Sequence, residues 1–166
     1  MSVPIFVTQH MPPSFTAILA EHLTKSAGRP CVEAKHGETA QPGYIYIAPG
    51  DYHMVPEKLQ SGQVVTQLNQ NSPENYCRPA ADPMLRALST IYGSHLAVIV
   101  LTGMGQDGME GCKVVVANGG HVIAQNEESC VVYGMPKAVV DNQLCRKVLP
   151  LSEIGGYMIQ QLEGKR

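Results

Sequence analysis

Two patterns in the sequence predict an α/β fold: a mainly parallel sheet flanked by helices, doubly wound and Rossmann-like, in three layers. The first is a set of runs that are apolar at successive positions. LAVIVL at 96–101 is the clearest, and it reads as a parallel strand covered on both faces. The second is helical periodicity between several of these runs, the alternation from which parallel sheets are built.

In chain order, strands are predicted at 3–8, 44–48, 64–66, 96–102, 121–124 and 147–149, where β-branched and aromatic residues concentrate. Phe15, Ile18, Leu19 and Leu23 share one helical face, with Ser14 placed to cap the helix after Pro12 and Pro13. Met84, Leu85, Leu88, Ile91 and Tyr92 repeat that spacing, and Gly93 stops the helix. A third helix is predicted over 109–118, ended by Gly119 and Gly120. A fourth opens after Ser152, with Ile154, Met158 and Leu162 on its inner side. Residues 44–67 hold short strands with no helix between them and read as a β-hairpin excursion. The Asn- and Gln-rich stretch 68–76 reads as a surface loop. Neither a repeat nor a dividing linker is present, so residues 1–166 are expected to form one domain.

Composition excludes several functions. Twelve basic against fourteen acidic residues leave a net charge of −2, without the basic patch of a nucleic-acid binder. The longest apolar run is far short of the roughly 20 residues that cross a bilayer, so no membrane insertion and a cytoplasmic location are expected. Five cysteines form no CxxC pair and the histidines no HxxxH or HExxH pair, so reduced thiols, no metal and no cofactor are expected.

In open α/β sheets ligands bind beyond the carboxyl ends of the strands. Two segments occupy such positions: TQHMPP, which sets His10 after the first strand, and LTGMGQDG, which sets Asp107 in a glycine-rich turn. The second also matches GxGxxG through Gly103, Gly105 and Gly108, with Glu127 downstream at the distance of a ribose contact. Asp107, however, would place a like charge where a pyrophosphate must sit. A carboxylate beside an imidazole is alternatively the orienting half of a nucleophilic triad. The bland readings are a structural histidine at a strand end and a turn-forming aspartate.

Five ordered blocks carry a wider resemblance: TQHMPPSFT (8–16), PGYIYIAPGDYHM (42–54), RPAADPMLRAL (78–88), VIVLTGMGQDGMEG (98–111) and AQNEESCVVYGMPKAV (124–139). Together they resemble the catalytic domain of the chemotaxis protein-glutamate methylesterases, the CheB family. The resemblance implies a serine hydrolase that demethylates glutamate methyl esters on chemoreceptor cytoplasmic helices, releases methanol, and in some members deamidates glutamine. It assigns His10 as general base, Asp107 as the acid that orients it, and Met104 to the oxyanion region. His53 and Arg78 fall in matching blocks and are expected to line the cleft, against the alternatives of a structural hydrogen bond for His53 and an Arg78–Asp82 ion pair.

The family's nucleophile is a serine in a Gly-x-Ser-x-Gly-Gly turn, on a strand preceding QHMPP. No such turn occurs in these 166 residues. The chain is therefore expected to lack its first strand and nucleophile loop, as well as the upstream receiver domain of many family members. Ser14 beside His10 and the Cys130 thiol are the alternative nucleophiles, against a helix cap for Ser14 and a buried, inert thiol for Cys130. The rival functions are a non-catalytic receptor-binding remnant and a nucleotide-binding module built on GMGQDG.

Overall fold

A computed structural model describes residues 3–163. In chain order the elements are β1 (Ile5–Val7), α1 (Phe15–Ala27), β2 (Cys31–Glu33), β3 (Glu38–Thr39), β4 (Ile45–Ile47), β5 (His53–Met54), β6 (Glu57–Lys58), β7 (Val64–Thr66), β8 (Leu68–Asn69), α2 (Ala81–Tyr92), β9 (Ala97–Val100), α3 (Met109–Ala117), β10 (His121–Gln125), α4 (Met135–Asp141), β11 (Cys145–Leu149) and α5 (Leu151–Glu163). The predicted α/β class holds. Its parallel strands, however, form two three-stranded sheets, β1-β4-β2 and β11-β10-β9, and the excursion forms two small antiparallel sheets, β3-β7-β6 and β5-β8. None of the described helices is long and apolar enough to cross a membrane.

The main core lies where α2 and α3 pack on the second parallel sheet: Met84, Leu85, Leu88, Val115, Val98, Val100, Val122 and Ala124 are all buried there. Burying each large side chain stabilises by about 1.5–3 kcal/mol, more than a typical helix cap of about 1 kcal/mol. α3 approaches α2 closely because Gly111 has no side chain; a Cβ there would stand 2.7 Å from the Cβ of Leu85. Gly93 ends α2 at positive φ, as predicted, and Gly28 does the same for α1.

Several expectations are corrected. Val98 and Val100 are buried, but Ile99 and Leu101 are 40% and 43% exposed, so the LAVIVL strand is covered on one face only. An unbroken apolar run records the chemistry of both faces, not whether both have a partner. Phe15 and Ile18 are likewise exposed, and α1 turns Thr16 and Ala20 inward, with Leu19 and Leu23 packed partly beneath. Ser14 does precede α1, but its φ of 74° is left-handed and its hydroxyl makes no cap bond. The stretch 68–76 contains β8 and a tight turn over 74–77, so it is not a plain surface loop. α4 was not anticipated; Pro136 starts it and it is only seven residues long. Ile154 is buried as expected, whereas the side chain of Leu162 lies outside the described residues.

Among the described residues β1 has a single strand neighbour, β4, and β9 has a single one, β10. Each parallel sheet thus ends in an unpaired edge, and the loops leaving those two edge strands, after Val7 and after Val100, converge.

Candidate active site

His10 leaves the carboxyl end of β1, and the rigid Pro12-Pro13 pair behind it directs the chain into α1. Asp107 leaves the carboxyl end of β9 through a turn in which Gly105 and Gly108 adopt φ of 84° and 88°. The two meet: Nε2 of His10 donates to Oδ2 of Asp107 at 2.6 Å. The imidazole is partly exposed, whereas Asp107 is 2% exposed.

Five donors converge on the Asp107 carboxylate. Oδ2 accepts from His10 and from the Ala81 N–H (2.6 Å). Oδ1 accepts from the N–H groups of Gly108 (2.9 Å) and Asp82 (3.2 Å), and from Nδ2 of Asn75 (3.2 Å). Ala81 and Asp82 open α2, whose own N-cap residue, Ala80, has no polar side chain. Asp107 therefore caps α2 from another part of the chain. Burial pushes the carboxyl pKa up, but the bonds from His10, Ala81 and Asp82 outweigh it and hold the pKa below the ordinary aspartate value.

An ionised carboxylate only accepts, so the neutral imidazole must carry its proton on Nε2. Nδ1 is left with the lone pair and makes no hydrogen bond among the described residues. The pair can therefore take a proton at Nδ1 while Asp107 stabilises the resulting imidazolium.

The glycine-rich turn leaves donors available. Thr102 N–H is held by the buried Gln125 side chain (2.8 Å) and Gly103 N–H by the Val132 carbonyl (3.1 Å). The N–H groups of Met104, Gly105 and Gln106 have no partner among the described residues. The Met104 side chain is 83% exposed. Of the N–H groups that the GxGxxG segment would turn on a pyrophosphate, those of Gly103 and Gly108 are occupied, by the Val132 carbonyl and by the Asp107 carboxylate, whose charge lies in the same turn.

His53 and Arg78 are not brought to this pair. His53 is buried, donating from Nε2 to the Ser72 carbonyl and accepting the Ala80 N–H at Nδ1. Arg78 binds Asp51 and the carbonyls of Gln70 and Asn71; the alternative Arg78–Asp82 ion pair does not form, because Asp82 faces Asn75 and Gly111 instead. No hydrogen bond joins Ser14 to His10 among the described residues. The Cys130 thiol, its pKa pushed up by burial, points toward the Gln125 carbonyl. Neither has the setting of an activated nucleophile.

Asn75, Asp82 and Gln125 are the polar residues around the site that sequence reasoning missed. Gln125 carried a signal, as the one polar residue closing the otherwise buried end of the apolar strand HVIAQ. Asn75 lay inside a stretch read as loop.

The chain as a whole is similar to known proteins. The crystal structure of the Thermotoga maritima CheB methylesterase catalytic domain superposes with a TM-score of 0.94 at 42% identity, over 97% of this chain and 85% of that one. Protein-glutamate methylesterase/protein-glutamine glutaminase 1 of Rhodospirillum rubrum is 50% identical over 159 residues, 96% of this chain and 41% of the relative. The Azospirillum brasilense protein-glutamate methylesterase/protein-glutamine glutaminase is 52% identical over 156 residues, 93% of this chain and 39% of the relative. The chain thus spans about two fifths of these relatives' length. A family model described as CheB methylesterase matches residues 1–158, and on that match and these identities the chain belongs to the CheB methylesterase family.

Proposed function

We propose that the chain is the base-and-orienter portion of a protein-glutamate methylesterase domain, acting on methylated glutamates of chemoreceptor cytoplasmic helices in the cytoplasm. The observation that carries this is the buried Asp107 bonded to a partly exposed His10 whose Nδ1 is free. The nucleophile is a serine contributed by a strand not present in these 166 residues, consistent with relatives more than twice as long. The unpaired edges of β1 and β9 provide room for such a strand, with the serine at its carboxyl end beside His10.

In that reading Nδ1 of His10 accepts the serine proton as Oγ attacks the glutamyl ester carbonyl. Free N–H groups of the 104–106 turn bind the developing oxyanion, with Met104 the first of them. His10 returns the proton to the leaving methoxide, releasing methanol. It then takes a proton from water, which attacks the acyl-enzyme to restore glutamate and the serine hydroxyl. A glutamine side chain follows the same path with ammonia leaving, in keeping with the glutaminase half of the relatives' names.

The test is methanol release from methylated receptor by the longer protein that contains the serine. His10→Ala is expected to lower it by about 10²–10⁴-fold, the usual worth of a positioned acid–base group. Unchanged release would refute the assignment.

A further inference from the structure

Asn75 and Tyr76 form the two-residue loop of a minute hairpin, in which Glu74 and Cys77 exchange N–H···O bonds of 3.1 and 2.9 Å. Both central residues have positive φ, 50° and 62°. Such loops require left-handed backbone; asparagine tolerates it, but a bulky residue such as tyrosine adopts it only under constraint. Backbone held in this region is a pointer to function when the surrounding structure over-determines it. Here it does: Arg86 of α2 clamps Glu74 at 2.5 Å, at the foot of the hairpin.

The loop divides its two side chains. Tyr76 stands fully exposed, while Asn75 turns inward and spends its single amide nitrogen on two carboxylates, 2.8 Å from Oδ2 of Asp82 and 3.2 Å from Oδ1 of Asp107. Asp82 is itself 2% exposed and accepts the Gly111 N–H at its other oxygen, 2.6 Å away. Two buried acidic groups therefore approach each other with one NH₂ group between them. Apart from His10, Asn75 is the only side chain among the described residues that donates to Asp107; the other three donors are backbone N–H groups.

We infer that Asn75 is a positioning residue for the His10–Asp107 pair, holding the Asp107 carboxylate in line with the imidazole by bridging it to Asp82. The inference rests on the reading of His10 and Asp107 as the acid–base pair. Without the bridge, Asp107 faces the Asp82 carboxyl with no hydrogen between them. Its ionised form is then less favoured, and its grip on Nε2 of His10 loosens. The other titratable groups near Asp107 are Arg86 on α2, Cys77 beside the hairpin and Cys112 on α3, none of which substitutes for the amide at Oδ1.

The experiment is nuclear magnetic resonance on the 166-residue chain, at a concentration where sedimentation shows it monomeric, following the ¹⁵N shifts of the His10 ring and the ¹³C titration of the Asp107 carboxyl. Asn75→Gly keeps the left-handed turn and removes the amide. It is expected to move the Asp107 midpoint to higher pH and to replace the single Nε2–H tautomer of His10 by a mixture. The exchange Asn75→Asp/Asp82→Asn restores a hydrogen bond between positions 75 and 82 but leaves no donor at position 75 for Asp107. It is expected to recover thermal stability and not the Asp107 midpoint. A wild-type midpoint and tautomer in Asn75→Gly, or in the exchange if the glycine variant does not fold, overturns the inference. Asp107→Ala separates the two levels of the argument: if it leaves the His10 tautomer untouched, the acid–base pair itself has failed, not the role of Asn75.

Discussion

Asp107 and Asp82 cap each other's helices. Asp107, from the turn that leads into α3, accepts the first N–H groups of α2, and Asp82, from the first turn of α2, accepts the Gly111 N–H in the first turn of α3. The arrangement is a reciprocal capping box made between two helices instead of within one, and it welds the orienting acid to the best-packed part of the core.

Removing Asp107 should therefore cost stability as well as activity. Asp107→Ala strands the N–H groups of Ala81, Asp82 and Gly108 in a dry site, and a loss of about 2–4 kcal/mol is expected from cap and desolvation terms together. Urea unfolding measures it; a loss below about 0.5 kcal/mol, the smallest usual worth of a cap, would mean the caps are redundant.

The two aspartates should respond oppositely to pH. Burial pushes the Asp82 pKa up, and the bonds from Gly111 and Asn75 do not recover it. Burial also pushes Asp107 up, but there the hydrogen bonds prevail and its pKa is lowered. A lowered native pKa gives stability above the unfolded value that is lost as pH falls through the native one. A raised native pKa gives stability below the unfolded value that is lost as pH rises through the native one. The wild-type advantage over Asp107→Asn should grow with rising pH from Asp107's lowered pKa to the ordinary aspartate value, and the advantage over Asp82→Asn should shrink from the ordinary value upward. Thermal midpoints across the acid range test this, and slopes of the same sign would contradict it.

Gly134 should tolerate no side chain, although its φ of −106° is ordinary. A Cβ there would lie 2.6 Å from the Gly103 carbonyl oxygen, 2.9 Å from Gly105 N and 3.1 Å from the Met104 Cα, all of them backbone that carries the free donors. Gly134→Ala is expected to cost about 1–3 kcal/mol, as overpacking does. It should also lower kcat more than it raises KM in the longer enzyme. Wild-type kinetics would remove the 104–106 turn from the mechanism.

The open edges of β1 and β9 predict self-association. With Ile99 and Leu101 exposed beside an unpaired strand, the 166-residue chain should aggregate with increasing concentration. A chain extended at its N-terminus by the proposed serine strand should melt at a higher temperature. Equal midpoints for the two would exclude a strand in that gap.

The thiols should differ in reactivity. Burial pushes Cys112 up to about 12 and Cys145 to about 11, so both should be alkylated last by iodoacetamide at mildly alkaline pH. Early modification of Cys112 would mean that the α2–α3 interface opens.

The sequence read well where one periodicity governs one element. The inner face of α2, the bounds of α3 and the placement of His10 and Asp107 after strands all follow from local pattern and strand-end logic. It read poorly where partners decide. The apolar character of Ile99 and Phe15 says nothing about whether a neighbour covers them. The role of Asn75 depends on Asp82 and Asp107, 7 and 32 residues further along the chain. Asp82 sat in plain view at a helix start, but its carboxylate satisfies a different helix, a contact no spacing rule contains.

His10 and Asp107 follow edge strands of two separate parallel sheets, 97 residues apart in sequence, and they are fastened by one 2.6 Å contact. That contact works as a clasp across a seam. Sliding one sheet against the other by the rise of a single residue, about 3.3 Å, would pull the imidazole out of reach of the carboxylate. The proton held on Nε2 of His10 is thus fixed by the relative placement of the β1 and β9 ends, which one buried core shared by both sheets keeps in register.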